Sequence, residues 1–171
     1  MDLKSKLRHV LDFPKQGIDF IDITTVLQDS EAYKECIDTM ADRIRKVGEF
    51  DLIVGPESRG FILGAPLAYI LGKGFVPIRK RGKLPYKTIQ VEYQLEYGTD
   101  VLEMHQDAIK PGQRVVVVDD LLATGGTTES NIKLIEKLGG EVAGIFFFIE
   151  LTYLNGREKL KGYNVDSIVQ F

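Results

Sequence analysis

Asp119 and Asp120 stand at the end of the apolar run Val115–Val118, directly ahead of Leu121-Leu122-Ala123-Thr124-Gly125-Gly126-Thr127-Thr128. A buried strand that ends this way delivers two carboxylates to its carboxyl end, turns through small residues and opens a helix. In open α/β sheets, ligands bind at such strand ends. Gly125 and Gly126 admit positive φ and close backbone approach, so successive N–H groups can face one concavity. The hydroxyls of Thr124, Thr127 and Thr128 and the positive end of the helix add to it. The turn suits a phosphate monoester. It lacks the Gly-Lys-Ser/Thr of a Walker A loop and the Gly-x-Gly-x-x-Gly of a dinucleotide fingerprint. Two acids beside an anion cradle would repel a polyphosphate. They suit a sugar phosphate, whose adjacent hydroxyls donate to the carboxylates while the phosphate sits farther along. The bland alternative is a glycine-rich connector with a solvated acid pair.

Two further stretches carry cations toward an anion. Ser58-Arg59-Gly60 follows a short apolar run and opens a helix, so backbone N–H groups and the Arg59 guanidinium can meet one ligand. Arg79, Lys80, Arg81 and Lys83 form the dense basic cluster of a chain with 22 basic and 25 acidic residues, net −3. A charge run is usually a solvated face, but this one follows a buried strand. The net charge gives no global footprint for nucleic acid, so any anion site is local. His9 and His105 show no acid or hydroxyl constellation in the sequence and read as surface residues. Cys36, the lone cysteine, lies on an apolar helix face and reads as core; it excludes an internal disulfide and fits a reducing compartment.

These residues need a frame. At 171 residues with 44% hydrophobic and 27% charged composition, the chain is ordinary globular material. It would bury roughly 70% of its unfolded surface in one core. The charged start Met1-Asp2-Leu3-Lys4 shows no secretory h-region, and no apolar run approaches the length of a membrane helix, so a cytoplasmic protein is expected. Leu3, Leu7, Val10 and Leu11 have helical spacing up to Phe13-Pro14, and 16–27 reads as irregular. Asp29 or Ser30 caps a helix whose inner face is Tyr33, Cys36, Ile37, Met40, Ala41 and Ile44. Strands are expected at 51–55, 75–78, 114–119, 142–149 and 167–169, with helices at 60–71 and 127–138. Apolar runs without alternation mark strands covered on both faces, hence an α/β fold with a parallel, doubly wound, flavodoxin-like sheet. Residues 81–103 interrupt this pattern with turn residues and two alternating segments, which suggests a hairpin lid.

The segment around Asp119–Thr128 resembles the phosphoribosyl-pyrophosphate (PRPP) motif of type I phosphoribosyltransferases. Phe13-Pro14 to Gly17, Phe20-Ile21-Asp22-Ile23, Ser58-Arg59-Gly60-Phe61, Ile78-Arg79-Lys80-Arg81-Gly82-Lys83-Leu84-Pro85, Leu95-Glu96-Tyr97-Gly98 and Glu150-Leu151-Thr152 resemble the adenine-using branch of that family. The likeness runs from about Phe13 to the C-terminus. It implies a single phosphoribosyltransferase domain over 1–171, with an N-terminal hood that binds the base in 1–30, and a homodimer. The implied reaction is purine salvage: adenine and PRPP give AMP and pyrophosphate, with Mg²⁺ bound mainly through PRPP and pyrophosphate.

By that resemblance, Asp119 and Asp120 hold the ribose hydroxyls, and their charge stabilises a cation-like anomeric carbon. Ala123, Thr124, Gly125, Gly126 and Thr127 bind the 5-phosphate. Ser58, Arg59, Lys80 and Lys83 serve the pyrophosphate, while Arg79 reaches a partner subunit's site. Phe20 stacks on adenine and the backbone of Asp19 and Ile21 reads its edge, although the family usually has Arg or Lys at Ile21 and often an apolar residue at Asp19. Glu96, beside Tyr97 in the lid, is placed to take the proton adenine loses as N9 attacks, and lid closure excludes water. Another purine base on the same scaffold, a regulatory nucleic-acid binder that keeps the PRPP site, and a flavodoxin-like receiver domain remain alternatives. The last leaves the basic cluster and the lid unexplained.

Overall fold

A computed structural model describes residues 1–95 and 98–171, in two compact units, Met1–Thr39 and Met40–Phe171. In the first unit, Asp2 accepts the Lys4 N–H and caps the short helix α1, Leu3–Lys6. The helix expected to run to Leu11 ends there. Leu7 is already extended at φ −77° and ψ 143°, and β1 (Arg8–Leu11) pairs antiparallel with β2 (Asp19–Asp22) inside the stretch expected to be irregular. The reason is non-local. A four-residue helix has barely left its costly nucleus, whereas the ladder gains an Arg8–Asp22 ion pair at 2.7 Å and a contact between His9 Nδ1 and Asp19 Oδ2 at 2.8 Å. Helix α2, Thr24–Leu27, follows. Asp29 then accepts the N–H groups of Glu31 and Ala32 and caps α3, Ser30–Arg45, as its sequence predicts.

The second unit is built on a seven-stranded sheet. Its elements in chain order are β3 (Leu52–Pro56), α4 (Arg59–Leu71), β4 (Gly74–Lys80), β5 (Thr88–Leu95), β6 (Gly98–His105), β7 (Arg114–Leu122), α5 (Gly126–Lys137), β8 (Glu141–Glu150) and β9 (Val165–Gln170). Two 3-10 turns, Thr152–Leu154 and Gly156–Leu160, link β8 to β9. The order across the sheet is β5-β6-β4-β3-β7-β8-β9, with β4-β3-β7-β8-β9 parallel. Counted among the parallel strands, this is the 2-1-3-4-5 order of flavodoxin-like sheets. Val115–Val118 and Ile145, Phe147 and Ile149 have no exposed surface, because β-branched and aromatic side chains on both faces of a central strand are covered by helices.

The interruption at 81–103 is a hairpin, and it joins the sheet: β6 pairs antiparallel with β4 through Arg79↔Glu103 and Lys80↔Leu102. Val101, Leu102 and Met104 are buried. The strand order reverses between β3 and β7. Right-handed crossovers then put α4 and α5 on opposite faces, leaving a crevice beyond the carboxyl ends of those two strands.

Candidate active site

That crevice is a cavity of about 470 Å³ lined by Pro56–Arg59, Lys80 and Asp119–Thr128. Three stretches singled out by residue chemistry, far apart in sequence, therefore share one site. Helix α4 can start beside β7 because Gly60 lacks a side chain: a Cβ there would lie 2.8 Å from Pro56 Cδ and 3.2 Å from Asp119 Oδ1.

The loop Ala123–Thr127 is held from behind. Gly125 has φ +90°, and a Cβ on it would sit 2.7 Å from the Gly156 carbonyl oxygen. Gly156 in turn leaves no room for a Cβ beside the Ala123 carbonyl. Two glycines thus clamp the loop onto the second 3-10 turn, and α5 begins at Gly126 with its first-turn N–H groups turned to the cavity end. Such a row of amides at a helix N-terminus is an anion cradle. Gly125→Ala combines a left-handed backbone cost of about 1–3 kcal/mol with that clash. It is expected to raise the KM for a phosphorylated substrate by about tenfold or more; an unchanged KM would show that the shape of the loop is not what the ligand reads.

Asp119 and Asp120 are 9% and 6% exposed. The Asp120 N–H donates to Asp119 Oδ1 at 2.8 Å, and Arg59 Nε donates to Asp120 Oδ2 at 2.7 Å. Burial, and then the neighbouring Asp120 carboxyl, push Asp119 well above the usual carboxylate range, against the pull of Arg59. The two acids are therefore unequal: Asp120 carries the direct cation partner, and Asp119 resists ionisation.

The basic cluster is organised by a carboxylate that the sequence reading passed over. Glu57 accepts from Arg79 Nε at 3.2 Å, from the Lys80 N–H at 2.9 Å and from Lys83 Nζ at 3.0 Å. Burial raises the Glu57 carboxyl, but the Lys80 amide and the charges of Lys83 and Arg79 outweigh it and hold the group below its usual range. The signal was available, since one acid beside Ser58 faces a run of cations. Lys80 lines the cavity, whereas Arg79 and Lys83 adjoin it through Glu57. Glu103, buried on β6, accepts the Gly82 N–H at 2.7 Å and the Thr88 hydroxyl at 2.9 Å, fixing the base of the hairpin.

Asp19, Phe20 and Ile21 lie on β2 in the first unit. Phe20 is half-buried and meets Phe13 edge-on, with ring centroids 5.3 Å apart. His9, for which no acid or hydroxyl constellation was legible, places Nδ1 2.8 Å from Asp19 Oδ2. The antiparallel register explains the miss, because it sets the two residues on adjoining strands. Glu96 and Tyr97 lie outside the described residues.

The sequence profile of the phosphoribosyl transferase domain matches residues 22–170. An adenine phosphoribosyltransferase of Acetivibrio thermocellus is 78% identical over 171 residues, spanning 100% of both chains. The crystal structure of adenine phosphoribosyltransferase from Thermoanaerobacter pseudethanolicus superposes with a TM-score of 0.95 at 56% identity, over 99% of this chain and 98% of that one. The Saccharomyces cerevisiae enzyme, crystallised with D-2,5-dideoxy-2,5-imino-altritol 1,6-bisphosphate and adenine, gives a TM-score of 0.94 at 38% identity, over 97% and 96%.

Proposed function

Since the chain belongs to the phosphoribosyltransferase family, we infer that it transfers the 5-phosphoribosyl group of PRPP to adenine, giving AMP and pyrophosphate in purine salvage. The full-length likeness to adenine phosphoribosyltransferases supports the reaction. The observation that carries its placement is the pairing of a buried acid couple with an amide-lined loop in one crevice. N9 of adenine attacks the anomeric carbon as the bond to pyrophosphate breaks, and positive charge develops on the ribose ring. Asp119 and Asp120 accept from the ribose hydroxyls and set negative charge beside that carbon, where a site already folded in place needs no reorganisation. The amides and hydroxyls of Ala123–Thr127 hold the 5-phosphate. Arg59, the first-turn amides after Ser58, and Lys80 take the leaving pyrophosphate, with Lys83 and Arg79 adjoining through Glu57.

The donor set suits Mg²⁺ that arrives on the substrate. The cavity is lined by the carboxylates of Glu57, Asp119 and Asp120, of which Glu57 is taken up by Arg79, Lys80 and Lys83, and among the described residues no group of three or more His, Cys, Asp or Glu side chains is placed to hold an ion. Were the ion bound there, substrate oxygens and water would supply most of its ligands. When bound, the ion neutralises charge on the departing pyrophosphate.

The base is assigned to Phe20, with the backbone of Asp19 and Ile21 at its edge. Glu96 is assigned the N9 proton, and Tyr97 a place in the lid over 81–103. Glu96→Gln is expected to lower kcat by about 10²-fold with little change in the KM for PRPP; an unchanged kcat would remove Glu96 from the mechanism. The protein is proposed to act as a cytoplasmic homodimer. Exposed Ile62, Tyr69 and Ile70 on α4, with Tyr69 87% exposed, support an apolar contact between subunits. Cys36, buried and pushed up to about 12 by burial, is inert as a thiol, which suits a reducing compartment. An assay for AMP formed from adenine, PRPP and Mg²⁺, with guanine, hypoxanthine and xanthine as controls, tests the reading. Faster turnover of another base would overturn the choice of adenine.

A further inference from the structure

Arg59 and Asp120 each belong to a different half of the substrate site, yet they bind each other. Arg59 Nε lies 2.7 Å from Asp120 Oδ2, and the Asp120 side chain is only 9% exposed. Arg59 Nε is committed to Asp120, so pyrophosphate can take that donor, or pull the guanidinium toward itself, by weakening its hold on this carboxylate. An acid that is buried and loses its cation is costly, because neither water nor another charge replaces the lost interaction. Asp119 offers no relief, since it is a second acid, and the Asp120 amide donates to it. Ribose hydroxyls do offer relief, because they donate hydrogen bonds to a carboxylate. The intact substrate brings both the anion that pulls Arg59 and the hydroxyls that compensate Asp120. Pyrophosphate alone brings only the first.

We propose that the Arg59–Asp120 ion pair is a specificity element that makes recognition of the ribose and pyrophosphate halves cooperative, favouring whole PRPP over free pyrophosphate. The inference rests on the placement of ribose at Asp119–Asp120 and of pyrophosphate at Arg59. It has a kinetic use: once the ribose has left Asp120, pyrophosphate remaining in the site competes with that carboxylate for Arg59, which eases its release. Linkage requires the coupling to be reciprocal, so ribose bound at Asp120 strengthens the pyrophosphate subsite as much as the reverse.

The test is calorimetric titration of magnesium pyrophosphate, and separately of magnesium PRPP, into wild type, Asp120→Asn, Arg59→Ala and the double variant. Thermal melts confirm that each variant is folded. Asp120→Asn is expected to bind pyrophosphate about tenfold tighter while binding PRPP more weakly, and the gain for pyrophosphate is expected to vanish in the Arg59→Ala background. Unchanged or weaker pyrophosphate binding by Asp120→Asn would overturn the proposal. So would a gain that persists without Arg59, which would mark simple removal of a negative charge. Unchanged PRPP affinity in Asp120→Asn would instead refute the ribose assignment, whatever pyrophosphate does. Arg59→Lys supplies a second variant: it keeps the charge but not the guanidinium, and is expected to retain only part of the coupling.

Discussion

Replacing both Asp119 and Asp120 by asparagine is expected to lower kcat/KM by about 10³-fold or more, in the range seen when preorganised charge is removed from a reacting centre. The shape of the site survives the change, since asparagine is nearly isosteric and the surrounding strand is buried by Val115–Val118. What disappears is the negative charge opposite a carbon that becomes cation-like. The single variants should differ. Asp120 also holds the Arg59 guanidinium at 2.7 Å, so Asp120→Asn removes an ion pair together with a charge, and Asp119→Asn is expected to cost less than Asp120→Asn. His105→Ala serves as the control. His105 accepts the Tyr86 N–H at 3.3 Å and meets the Tyr86 ring edge-on, away from the cavity lining, and its loss should leave kcat/KM nearly unchanged. Comparable losses at His105 and at the acid pair would show that the chemistry lies elsewhere.

Glu150→Ala is expected to cost about 1–3 kcal/mol of folding stability, the usual range for losing hydrogen bonds to a charged group when the partner left behind, Arg157, is 45% exposed. Glu150 is 4% exposed at the end of β8. It accepts from Arg157 Nε at 2.9 Å, Arg157 Nη2 at 2.9 Å and the Ser167 hydroxyl at 2.7 Å. One carboxylate thereby joins β8, the second 3-10 turn and β9. The same turn supplies Gly156, which backs the phosphate loop, so the substitution should also weaken PRPP binding. The hydrogen bond from Arg157 leads the causes that hold the Glu150 carboxyl below its ordinary range, with burial opposing. A folded-state value below the unfolded one stabilises the protein above the unfolded value of about 4.3. That contribution is lost as pH falls through the folded value. Denaturant melts across acid pH should therefore show a fall in stability below about pH 4 that Glu150→Gln lessens, the remainder belonging to Asp22, Asp29, Glu57 and Asp100, whose carboxyls are also held below their ordinary range. An equal pH dependence in wild type and Glu150→Gln would assign the acid sensitivity to other groups.

The parallel core was readable because its signal is local. Val115–Val118 and 142–149 are apolar on both faces, and glycines mark the turns at their ends. The acid pair and the loop were readable for the same reason, being one unbroken stretch between strand and helix. The N-terminus misled because four apolar residues at helical spacing compete with a ladder whose other strand lies about ten residues on. Only the pairing of Arg8 with Asp22 and of His9 with Asp19 decides between them. The hairpin could be read as such, but not its docking on β4, which depends on a register that no local pattern announces. Glu57 and Gly156 were missed for a related reason. Each matters through a neighbour distant in sequence, Glu57 through Arg79 and Lys83, Gly156 through Gly125.

The central claim is that Ala123–Thr127 cups the ribosyl 5-phosphate while the two aspartates face the sugar. A crystal structure of the protein with AMP tests it most directly. Density for the phosphate against the amides of Gly125, Gly126 and Thr127, with the ribose hydroxyls on Asp119 and Asp120, is the predicted result. Phosphate bound instead at the Arg79–Lys83 cluster, with the sugar turned away from the acid pair, would contradict it.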